Sequence, residues 1–154
     1  MMSPEERRGG APVGYLHEFD APDAQAICLL RHWCTDGEAG LHQYLSGGST
    51  KFKTAVLTDA MSQIGSVLAQ HGRRPFMRHD AQCQCVGGDE ACFATMINAA
   101  AEGAREDAMM LACLMVRADF SPVLVGLAEQ LGLALRSGTP MAEVQIRPAD
   151  AVLH

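Results

Sequence analysis

The chain has 154 residues, 48% of them hydrophobic and only 5% aromatic, with a net charge of -6. That length suffices for one domain whose core needs no disulfide staples. The negative balance argues against nucleic acid or an anionic membrane as a general partner.

The opening stretch, MMSPEERRGGAPVGY, has no apolar h-region. It reads as a flexible leader over residues 1–15 rather than a secretory signal, which places the chain in the cytoplasm. Thiols stay reduced there, so six cysteines (28, 34, 83, 85, 92 and 113) point to metal or redox chemistry before disulfides.

A helical domain is expected over residues 16–138. Asp20 is its first candidate N-cap, with Pro22 in the first turn and Ala26, Ile27, Leu30 and Trp33 or Cys34 recurring at helical spacing. Gly37 marks a stop, and EAGLHQYLSGG reads as a short second helix ending at Gly47. A long helix follows over about 50–71, capped by Ser49 or Thr50, with Phe52, Val56, Ile64, Val67 and Leu68 in one stripe. SGGSTK within this region has the wrong order for a phosphate loop.

Residues 72–88 lack a helical period and read as a long irregular loop, a feature that usually serves a purpose in a compact domain. A helix then starts at Asp89, burying Cys92, Phe93, Met96, Ile97 and Ala100. The next, about 105–117, holds AMMLACLMV, apolar nearly all round, and is expected at the centre of the fold. That run is too short to span a bilayer. Ser121 and Pro122 open the last helix, with the stripe Leu124, Leu127, Ala128, Leu131 and Leu135. Residues 139–154 form a tail with a short alternating piece at Val144 and Ile146, read as a docking arm or strand. The expectation is an all-α domain of five or six helices.

Chemistry concentrates in RHDAQCQCVGGDEACF, Arg78 to Phe93. His79, Cys83 and Cys85, spaced H-x3-C-x-C, carry ligand types that Zn(II) prefers, and Cys92 is a candidate fourth ligand for a structural zinc site. Such an ion would explain how a polar loop stays ordered. The alternative is a thiol redox pair of Cys83 and Cys85, with Arg78 and a helix N-terminus lowering thiol pKa values. A third reading is a helical interaction module without metal or catalysis. Cys28 and His32 share a helix face and are candidate outside ligands. In HGRRPFMRH, Arg73, Arg74, Phe76 and Arg78 form a candidate contact surface for a partner protein or a small acidic ligand. Pairing of central helices across two copies would give a homodimer.

GGDEA, Gly87 to Ala91, resembles the signature of diguanylate cyclase (GGDEF) domains. The resemblance covers four residues and implies glycines close to a nucleotide and acidic residues serving metal and catalysis, on a hairpin between strands. Here the fifth position is Ala91, and a helical period follows where that family continues into a strand. A turn at the glycines, a cap at Asp89 and dipole complementation by Glu90 fit the same residues. No E-x-x-H, H-E-x-x-H or G-x-S-x-G occurs, so no nucleophile or base is nominated.

Overall fold

A computed structural model of the chain describes residues 11–47 and 50–137. The tail expected at 139–154 lies outside the described residues, as does the Gly138 stop. The described residues form five α-helices and one two-stranded sheet, so the all-α expectation holds.

Strand β1 is Pro12–Tyr15 and a 3-10 turn follows at Leu16–Glu18. Helix α1 is Ala21–Leu45, α2 is Lys51–His71, and strand β2 is Cys85–Gly87. Helix α3 is Gly88–Ala101, α4 is Arg105–Met115, and α5 is Ser121–Leu135 after a 3-10 turn at Ala118–Phe120. β1 pairs antiparallel with β2, Gly14 against Val86 and Tyr15 against Cys85. Part of the expected leader is therefore structural: Pro12–Tyr15 covers the end of the loop, and Leu16 behind it is buried.

The local signals set most boundaries. Asp20 is the N-cap residue of α1, with Pro22 in its first turn. Thr50 caps α2 by accepting a hydrogen bond from the Lys53 amide. α1 bends where a stop was expected: Asp36 and Gly37 are non-helical, Gly37 with φ 61° and ψ -143°, and the helix resumes to Leu45. Tyr44 then stacks on His32 across the bend, with ring centroids 4.6 Å apart.

The centre is not where all-round apolarity places it. Residues 24–31 of α1 are buried without a break, enclosed by α2, α3 and α5. α5 packs on both α2 and α3, and its predicted stripe is buried in full. By length and composition Ala118–Leu135 is apolar enough to cross a membrane, and 44% of that stretch is buried within this fold. α4, expected at the centre, packs at the side on α3 and α5 and leaves Met110 70% and Leu114 66% exposed.

Gly37 occupies a backbone region open to almost no other residue. Gly37→Ala should lower stability by about 1–3 kcal/mol. Urea unfolding should show this as a lower midpoint with an unchanged m value.

Candidate functional site

Arg31 lies in the buried run of α1 with no side-chain exposure, and so does Glu90 in the first turn of α3. Arg31 Nε donates to Glu90 Oε2 at 2.6 Å and a terminal nitrogen donates to Oε1 at 2.9 Å. The guanidinium also donates to the carbonyls of Cys83 and Cys85, each at 2.6 Å. Glu90 in turn accepts from the His79 amide at 3.2 Å and the Gly87 amide at 3.1 Å. Each carboxylate oxygen thus takes two donors, close to its full capacity. Burial disfavours the charge on Arg31, but Glu90 outweighs it and holds the guanidinium pKa above its ordinary value. The ordering assigned in sequence to a zinc ion is carried here by an ion pair that grips the loop by its main chain.

The neighbouring acid holds the other side of the loop. α3 starts at Gly88 with Gly87 as its N-cap residue, two positions ahead of the cap expected at Asp89. Asp89 reaches outward instead. Arg74 forks onto its two oxygens at 2.8 and 2.6 Å, and the Met77 amide donates to it at 2.8 Å. Burial pushes the Asp89 carboxyl up, but these donors prevail and hold it below its ordinary value. GGDE therefore sits between a short strand and a helix, with both acids engaged by arginines of the same chain. That differs from the strand hairpin implied by the cyclase-like signature.

The predicted metal ligands are not gathered. No three His, Cys, Asp or Glu side chains among the described residues are grouped to hold an ion. His79 is fully buried, with Nδ1 3.9 Å from Cys83 Sγ and no protein partner at Nε2. Cys92 lies half-buried on α3, its thiol pKa raised by burial and by Asp89. No disulfide joins any of the six cysteines in this structure. Burial raises the Cys34 thiol pKa against the opposing charge of Arg78, the arginine expected to activate the Cys83–Cys85 pair. Cys28 is buried in the core and His32 is stacked on Tyr44.

The contact residues fare differently. Arg73, Arg74 and Phe76 line one cavity of about 560 Å³, between α1, α2 and the segment that follows α2. Leu30, Trp33 and Cys34 of α1 and Gly65, Leu68 and Ala69 of α2 complete most of its wall. The Trp33 ring lies so close to α2 that a Cβ at Gly65 would meet ring carbons at 2.6 Å. Phe76 packs edge-on against Phe93, with centroids 6.3 Å apart. Arg73 is anchored by its own amide on the Met115 carbonyl and by Nε on the Cys113 carbonyl. Gly72 bridges to Val116 beside it. The cavity roof is thus fixed at one end by α4 and at the other by Asp89.

Sequence reasoning missed the roles of Arg31, Trp33, Gly65 and Glu90. Arg31 carried a readable signal: a charge three and four residues beyond Cys28 and Ile27, on the stripe that packs inward. Gly65 carried none, because a glycine in a helix does not announce the ring above it. No protein family, curated protein or solved structure matches the chain.

Breaking a buried pair strands the remaining charge, so Glu90→Gln should destabilise the protein by about 3–5 kcal/mol. The double variant Arg31→Met with Glu90→Met should not return to within about 1 kcal/mol of the parent, because four loop backbone groups lose partners worth about 1–3 kcal/mol each. Cys83→Ser and Cys85→Ser, which keep those carbonyls, should retain loop amide protection in hydrogen exchange.

The Asp89 clasp has a calculable pH dependence. Its folded pKa lies below the ordinary 3.8, so its contribution is complete above that value and disappears as pH falls through the depressed one. NMR titration should find the Asp89 carboxyl below 3.8 in the parent and higher in Arg74→Gln.

Proposed function

We propose that the protein is a helical binding module whose cavity beside Trp33 receives a small ligand with an apolar body and an acidic end. The carrying observation is the cavity itself. Its size is in the range of small-molecule sites, and its wall is mostly apolar with a few placed polar groups. Trp33, Leu30, Leu68 and Phe76 suit a hydrophobic or aromatic body. Arg73 and Arg74 both line the cavity, Arg73 with its Nε on the Cys113 carbonyl and Arg74 paired with Asp89, so the two arginines outnumber the one carboxylate beside them. An incoming carboxylate or phosphate would meet net positive charge there.

A concave site favours a small ligand over the flat acidic face of a partner protein. The ordered roof also supports this reading, since a site held open by its own main chain spends little binding energy on reorganisation. A structural zinc ion is not required by it, because the Arg31–Glu90 pair already organises the loop.

Trp33 is the single tryptophan and reports directly on the cavity. Titration with aromatic carboxylates and aryl phosphates should shift its emission saturably for at least one class. Arg73→Gln should weaken that binding about tenfold, about 1.4 kcal/mol, the low end for loss of a charged hydrogen bond. A Trp33 signal indifferent to every acidic aromatic compound would remove the reading. A chelator-induced loss of folding, with metal recovered in proportion to protein, would restore the structural-metal alternative.

A further inference from the structure

A second concavity lies on the opposite edge of α2, away from Trp33. Phe52, Lys53 and Val56 of α2 form one side, and Leu133, Ala134 and Ser137 at the end of α5 form the other. Its volume is about 530 Å³. Phe52 is 80% exposed and Leu133 53%, the apolar pair most open to water on this edge. Large apolar side chains facing each other across a groove call for a cover.

The chain itself leads to the groove. Ser137, the last described residue, is part of its wall, and residues 138–154 continue from there. Those residues read GTPMAEVQIRPADAVLH, with Met141, Val144 and Ile146 as the large apolar side chains nearest the exit point. Gly138 and Pro140 are residue types that favour turns, as a segment lying back on the groove would need. Three extended residues reach roughly 10 Å, while Leu133 is only four residues, about 6 Å of helix, behind Ser137. Met141 is therefore within reach of Leu133 after a reversal at 138–140.

We propose that residues 138–154 of the same chain occupy this groove, with Met141, Val144 and Ile146 against Phe52, Val56 and Leu133. The occupant belongs to the molecule, so the effective concentration of a tethered segment favours it over a second copy at ordinary protein concentrations.

The test uses the full chain with p-benzoylphenylalanine in place of Phe52, a position whose exposure tolerates the larger ring. Irradiation of dilute purified protein should give an intramolecular cross-link into residues 141–146, located by peptide mass spectrometry. In the same chain, Val144→Asp with Ile146→Asp should reduce that product at least tenfold while the far-UV spectrum and melting temperature persist. Three results would overturn the proposal: cross-links only between two chains, which would mark a second copy as the occupant; no adduct within 138–154; or an intramolecular yield unchanged by the two aspartates, the mark of tethering without docking.

Discussion

A guanidinium and a carboxylate, both sealed from water, join α1 to the start of α3 and take hold of the main chain between them. Removing two such ions from water costs several kcal/mol each, and their attraction does little more than offset this. The net stability of the pair is therefore a poor measure of its role. What it fixes is a path. Cys83 and Cys85 must present their carbonyls to Arg31, and His79 and Gly87 must present their amides to Glu90, or buried polar groups go unpaired. Few backbone traces satisfy all four conditions, and β2 with its partner β1 follows from the one that does.

The cavity follows from the same constraint at one remove. With Glu90 turned inward to Arg31, the next acid on the helix, Asp89, points to the other side and meets Arg74 and the Met77 amide. Gly72 and Arg73 are tied to the end of α4. Residues 73–77 are thereby held between two anchors and line the cavity together with α1 and α2. The space beneath is lined by Trp33, which is pressed so closely on Gly65 that it has little room to move into it. An apolar cleft left open by this arrangement is a consequence of how two adjacent acidic residues divide their arginines.

Much of the fold was legible. The stripe of α5, the N-cap positions at Asp20 and Thr50, the break at Gly37 and the irregularity of 73–84 came from local rules, because each depends on residues within a few positions, whereas the loop expected to run on to 88 ends in β2 and the start of α3. The centre was misplaced because all-round apolarity cannot separate a helix enclosed by neighbours from one with an uncovered face. Residues 24–31 are the former, and Met110 and Leu114 belong to the latter. β1 was missed because four residues pair with a strand some seventy positions away, and nothing local records such a partner.

The site was half legible for a related reason. Arg73, Arg74, Phe76 and Arg78 stood out as a basic and aromatic cluster; the first three share one wall and Arg78 is not part of it. His79, Cys83 and Cys85 stood out by side-chain type, yet what the structure uses at these positions is the amide of one and the carbonyls of the others. Main-chain recognition leaves almost no trace in residue identity, since any side chain brings the same amide and carbonyl. The trace lies in the groups that do the recognising: an arginine within an apolar helix stripe and a glutamate at the start of another helix. Each is costly to bury alone and far less so as a pair. Of the two kinds of evidence in this stretch of sequence, the misplaced charges carried more structural information than the clustered thiols.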